Sequence, residues 1–185
     1  MANKIKYGLK NVHYALIINT AGVITYGIPT LIPGAVNISL KAKGEKVEFY
    51  ADDSAYFVAN ANQGYEGSIE MALLPDTFKK DVLGEKLDMG GVLFEDANVL
   101  PKNIALIFEF TGDANAIRHL LYNVSVARPS IESGTKNASV EVKTETLDIT
   151  VSPALDTGYV KAKAEPTSAS YATWLTTVYK YTPIV

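Results

Sequence analysis

The chain has 185 residues with 17 basic and 20 acidic side chains, a net charge of −3 and an apolar share of 48%. That length suits one domain with a sizeable core, and the mix of apolar and charged residues excludes a disordered chain. Lys and Arg form no basic stripe of the kind that grips double-stranded DNA, and the absence of cysteine removes disulfides, thiolate metal sites and cysteine nucleophiles together.

Lys4, Lys6 and Lys10 precede "HYALIIN", which fails as a signal peptide because the apolar run is short and broken by His13 and Asn19. It reads instead as a first strand, with Val12, Tyr14, Leu16 and Ile18 on one face. No stretch is long enough to span a bilayer. "AVNISLKA" sets Val36, Ile38, Leu40 and Ala42 against Asn37, Ser39 and Lys41. Lys43-Gly44 offers a turn, and "EKVEFYA" then sets Val47, Phe49 and Ala51 against Lys46, Glu48 and Tyr50, so the pair reads as a hairpin with one wet face. Asp52-Asp53 ends that strand, and Gly64-Tyr65-Glu66-Gly67 reads as a turn into "SIEMALL", where Ile69, Met71 and Leu73 oppose Ser68, Glu70 and Ala72.

"PDTFKKDVLG" predicts a short helix over about 75–84. Pro75 takes its first position, Leu74, Phe78 and Val82 form one apolar stripe, and Gly84 is the stop. Such a stripe places the helix on a sheet. "NIALIFEF" is apolar on both faces and predicts a strand buried on both sides. "HLLYNVSVA" points Leu120, Tyr122, Val124 and Val126 inward, with Asn123 and Ser125 outward. In "ASVEVKTETLDITVS" the apolar parity slips near Glu145-Thr146, the mark of a β-bulge in a long bent strand. "GYVKAKAE" adds a strand, and "SYATWLTTVY" has Tyr171, Trp174, Leu175 and Val178 at helical spacing in a composition that a strand also suits.

The fold class is therefore mainly β, an antiparallel β-sandwich or partial barrel with one short flanking α-helix. It forms a single domain over 1–185, with an N-terminal arm at about 1–11 and a C-terminal segment at about 168–185.

Chemistry is sparse. The two histidines, His13 and His119, sit singly in strands, and no Walker loop, dinucleotide fingerprint or nucleophile elbow is present. Asp52 and Asp53 lack the spacing of a calcium loop. A two-carboxylate site with Glu66 or Glu70 is conceivable, but a strand-ending turn accounts for the acids as well. Asn37, Asn123 and Asn137 begin Asn-x-Ser sequons that, without a signal peptide, are chance matches. No catalytic residue, cofactor or metal site is predicted.

The ordered set "KYGLKNVHYA" (6–15), Tyr50 to Asp53, Gly64-Tyr65-Glu66-Gly67 and the Leu-Pro-x-x-Phe helix ending at Gly84 resembles the major tail proteins of long-tailed bacteriophages and prophages of Gram-positive bacteria. The resemblance is strongest over the first half of the chain and continues weakly in "RHLLYNVSVARPS" and the Trp174 segment. It implies a non-enzymatic virion protein, made in the host cytoplasm, that assembles into hexameric rings stacked as a tail tube. Double-stranded DNA passes through such a tube without specific binding. The other implied partners are further copies of the chain and the tape measure, tail terminator and distal tail proteins, with no membrane.

Under that resemblance, Asn37, Ser39, Ser68, Glu70, Glu141 and Glu145 are candidate lumen-lining residues. Loops and termini staple rings together, which makes Lys4, Lys6, Lys10, Asp52, Asp53, Tyr56, Gln63 and Tyr65 candidate inter-subunit contacts. The alternative from another class is a β-sandwich binding module for carbohydrate or a receptor, which calls for clustered exposed aromatics.

Overall fold

The computed structural model describes residues 3–135 and 142–183. Its strands are β1 (Leu9–Thr20), β2 (Val23–Tyr26), β3 (Thr30–Leu31), β4 (Ala35–Lys43), β5 (Lys46–Ala51), β6 (Ser54–Asn60) and β7 (Gly64–Met71). After one helix follow β8 (Lys86–Leu87), β9 (Leu93–Phe94), β10 (Ile104–Phe110), β11 (Ile117–Val126), β12 (Glu145–Ser152) and β13 (Lys161–Ala164). The main sheet is antiparallel in the order β2-β1-β10-β11-β12-β7-β4, with β3 added to β1 and β13 to β11. It curls until β1 approaches β4, which makes a partial barrel.

Two cores use the two faces of the same central strands. Val12 and Tyr14 of β1, Ile69 and Met71 of β7, Leu106 and Phe108 of β10 and Leu147 and Ile149 of β12 pack into the concave face. Ala15, Ala105, Ile107, Leu120 and Tyr122 point the other way, under Trp174 and Val178. This is why β10 is buried along nearly its whole length, as its doubly apolar pattern predicts. The C-terminal cover is a short 3₁₀ helix, Tyr171–Leu175, whose threonines shorten the helix that the apolar spacing allows.

The helix closes the concave core. α1 (Asp76–Phe78) runs into a π-helical turn, Lys79–Leu83, with Pro75 as an extended N-cap one position before the helix and Gly84 as its left-handed stop. Leu74, Phe78 and Val82 are buried as their stripe predicts, and the widened turn also buries Leu83. Tyr14 meets Phe78 edge-on at 5.1 Å and donates to Asp81 at 2.9 Å.

Several expectations are corrected. The predicted hairpin of β4 with β5 does not form: β4 pairs β7, and β5 pairs β6. Gly44 is no turn. A Cβ there would collide with the Ala61 carbonyl oxygen, so glycine lets two limbs cross closely while the chain runs straight on. Nor is Gly64-Tyr65-Glu66-Gly67 a turn. It lies inside β7, where a Cβ on Gly67 would strike the Ser39 carbonyl of β4.

A shift at Ala35/Asn37 turns Val36 out to solvent and packs Ala35 against the core. Opposite Ile104/Leu106, another shift flips β11, so Leu120 and Tyr122 face one core while Val124 and Val126 face the other. Asn123 lies buried at that flip rather than outward, accepting from Asn103 at 2.9 Å and donating to the Pro153 carbonyl at 3.1 Å. The parity slip near Glu145 marks the start of β12 rather than a bulge, because the β12–β7 register is unbroken from Glu145 to Val151. Asn137 lies outside the described residues.

Candidate functional site

Two features stand out: a polar sheet face and a projecting arm. On β4, β7 and β12 the odd-numbered apolar positions of β7 and β12, with Ile38 and Leu40, face the core. Their neighbours form cross-strand rows on the convex face: Asn37–Glu70–Thr146, Ser39–Ser68–Asp148 and Lys41–Glu66–Thr150. Strand alternation thus gathers Asn37, Ser39, Ser68 and Glu70 on one surface. Its charges are two lysines, Lys41 and Lys43, against three carboxylates, Glu66, Glu70 and Asp148. A shallow open groove runs along its middle between Ser39, Lys41, Glu66 and Asp148.

Glu145 is corrected. It pairs with Met71 and so lies on the opposite parity. There its carboxylate accepts the Leu74 N–H at 2.5 Å and stands 3.8 Å from Lys79, where it ties β12 to the start of the helix. Glu141 lies outside the described residues.

The arm grows from the same strands. β4 continues through residues 44–45 into β5, and β6 continues through 61–63 into β7, making one long ribbon. Across the interruption Ala61 donates to the Glu45 carbonyl and Gln63 to the Lys43 carbonyl, both at 2.9 Å. β5 and β6 pair only with each other, and none of their residues joins either core. Val47 faces Ala59 and Phe49 faces Phe57, so one side of the ribbon is apolar and bare. Phe49 is 60% exposed, Phe57 56% and Tyr56 74%. On the other side Lys46 pairs with Glu48, which accepts from Tyr50 at 2.7 Å. The register shift beside Tyr50 leaves Tyr56 unpaired as a bulge.

Asp52 and Asp53 form the tip. Both have positive φ, 51° and 57°, between the paired residues Ala51 and Ser54, the conformation of a two-residue type I′ hairpin turn. Aspartate tolerates this left-handed region better than most side chains. Between this tip and Gln63 the chain is not a loop but strand β6 over Ser54–Asn60. A shared carboxylate site with Glu66 or Glu70 is ruled out by distance, because the tip stands roughly 30 Å along the ribbon from the sheet. Asp52→Asn combined with Asp53→Gly keeps the turn and removes both charges. Hydrogen exchange at Ala51 and Ser54 should stay slow in that variant and become fast in Asp53→Val, where a β-branched side chain resists positive φ.

The remaining contact candidates divide. Gln63 sits at the root of the arm, and Tyr65 lies beneath the Lys161 ammonium, 4.7 Å from its ring centre. Lys10 is engaged internally, 3.2 Å from the buried carboxylate of Glu109. The predicted N-terminal arm is no free segment over 3–8. Asn3 accepts from the amides of Ala114 and Asn115, Lys4 donates its amide to Asp113 at 2.9 Å, and Thr111 donates to the Gly8 carbonyl at 3.0 Å. Lys6 lies 5.9 Å from the Phe110 ring centre.

Sequence reasoning passed over the apolar side of the arm. Its alternation was visible, but nothing in the pattern distinguishes a face that meets the chain's own core from one that stays bare. No protein-family model matches the chain, and no curated protein is similar to it.

Proposed function

We propose that the protein is a structural, self-assembling subunit of a phage tail tube, a component of the virion tail made in the host cytoplasm. Copies associate into hexameric rings that stack into a hollow conduit for genome DNA. The observation that carries this reading is the arm, a two-stranded ribbon held out from the body with Phe49 and Phe57 side by side and uncovered. A lone ribbon with a bare aromatic pair gains stability only by packing against something else, and an exposed apolar surface of this kind marks an interaction site.

The polar convex face supports the second half of the reading. A sheet face of Asn, Ser and Thr, with three carboxylates against two lysines, suits a lining past which phosphates must slide, because it offers no net positive charge to hold them. The outer edge of β4 has no partner strand among the described residues, and joining such edges between copies would remove the liability of an open sheet. The tape measure, tail terminator and distal tail proteins would be the tube's other contacts.

Negative-stain electron microscopy of the purified protein at raised concentration is the test. Rings or tubes are expected. Particles that remain dispersed monomers at every concentration overturn the reading in favour of a binding module.

A further inference from the structure

A cleft opens where β10, β11 and β13 face β4 and β7 across the mouth of the barrel. Its volume is about 200 Å³, and its walls carry Tyr65, Phe108, Phe110 and His119. The His119 ring stacks on Phe108 at 5.2 Å and meets Phe110 edge-on at 5.0 Å. Lys6 and Lys161 line it, and Lys163 lines an adjoining hollow that shares Lys6, Phe110 and His119. Lys163 stands 3.6 Å from Glu165, while Lys6 and Lys161 have no carboxylate partner among the described residues. Burial first, and then the charges of Lys161, Lys6 and Lys163, push the His119 pKa down to about 4, so the imidazole is a neutral aromatic wall at pH 7.

We propose that this lysine-rimmed aromatic cleft receives the arm tip of a second copy of the chain, with Asp52 and Asp53 on the lysines and Tyr50 or Tyr56 against the rings. The tip supplies what the cleft lacks. Its two carboxylates have no partner among the described residues, and they stand between two exposed tyrosines. Opposite charge and aromatic area thus meet in one contact. The chain's own tip does not reach, because Tyr65 lines the cleft at the root of the ribbon while the tip stands roughly 30 Å further out.

The cleft and the arm root share one end of the barrel. The interruption at residues 44–45 and 61–63 is where the ribbon can lean toward a neighbour. A repeated contact of one surface with a different surface of the next copy closes a ring when the rotation allows.

The inference rests on the assembling reading above, and the absence of cysteine allows the two to be tested apart. Asp53→Cys combined with Lys163→Cys, oxidised after assembly, should give a reducible ladder of covalent multimers, where either single variant gives dimers at most. Lys161→Glu with Lys163→Glu should weaken assembly about tenfold or more, and adding Asp52→Lys with Asp53→Lys should restore it. Tubes that form without the ladder overturn this contact and leave the tube reading standing. So does a ladder only from Asp53→Cys with Lys102→Cys, which lies at the far end of the barrel. If neither tubes nor a ladder form, both readings fall.

Discussion

Phe49→Thr combined with Phe57→Thr should abolish assembly while leaving the monomer's thermal melt almost unchanged. The two rings are a directly opposed cross-strand pair on the arm and contribute to neither core. Threonine suits a strand, and a Thr–Thr pair replaces the aromatic one, so the ribbon loses only about 0.2–1 kcal/mol of pairing. At an interface the loss is larger. Burying each phenylalanine contributes about 1.5–3 kcal/mol, so removing both weakens each contact by roughly a hundredfold to ten-thousandfold. Sedimentation measures the assembly and circular dichroism the melt. Tubes that persist at the wild-type concentration would show that the arm is a bystander. A melt lowered by many degrees would show that the rings belong to the fold after all.

What could be read from residues alone was the period of each strand, and what could not was its partner. β10 declared its double burial through an unbroken apolar run, and the stripe of Leu74, Phe78 and Val82 announced a helix on a sheet. Gly44, Gly64 and Gly67 misled, because glycine signals both a turn and a close backbone crossing, and only the neighbouring strand decides which. Alternation set Asn37 with Ser39 and Ser68 with Glu70, and only the β4–β7 register puts the two pairs on one face. The side on which Glu145 falls likewise depends on the register of β12 against β7 rather than on the residues beside it. The Glu109–Arg118 pair was silent in the sequence because its members meet only when β10 and β11 align.

That pair should be the most sensitive polar point in the fold. Glu109 is 3% exposed and accepts from Arg118 at 3.0 Å, from Asn11 at 3.4 Å and from the Tyr171 hydroxyl at 3.4 Å, with Lys10 at 3.2 Å. Arg118 in turn donates to the Tyr171 carbonyl and stands 4.1 Å from the centre of that ring. One carboxylate thus joins β1, β10, β11 and the C-terminal cover. Removing one partner strands the other: Arg118→Ala or Glu109→Ala should cost about 3–5 kcal/mol in chemical denaturation. Glu109→Leu with Arg118→Met, which removes both charges, should cost clearly less than either single change. A double variant as costly as the sum of the singles would show that the two residues are not coupled as their geometry implies.

The pH dependence has a defined sign. Burial pushes the Glu109 carboxyl up, but hydrogen bonds and charge from Arg118 and Lys10 outweigh it and hold the group below its ordinary value. A depressed carboxylate contributes stability that is fully present above the unfolded value of about 4.5 and is lost as pH falls through the folded one. His119 acts above that window. Its folded value of about 4 lies below the ordinary 6.5, so the unfolded chain takes up the extra proton and stability declines as pH drops from 6.5 toward 4. Wild-type protein should therefore weaken in two stages on acidification. The Glu109→Leu with Arg118→Met variant should keep the upper stage and lose this pair's share of the lower one. A lower stage unchanged in that variant would assign the acid sensitivity to other carboxylates and leave Glu109 a structural acceptor only.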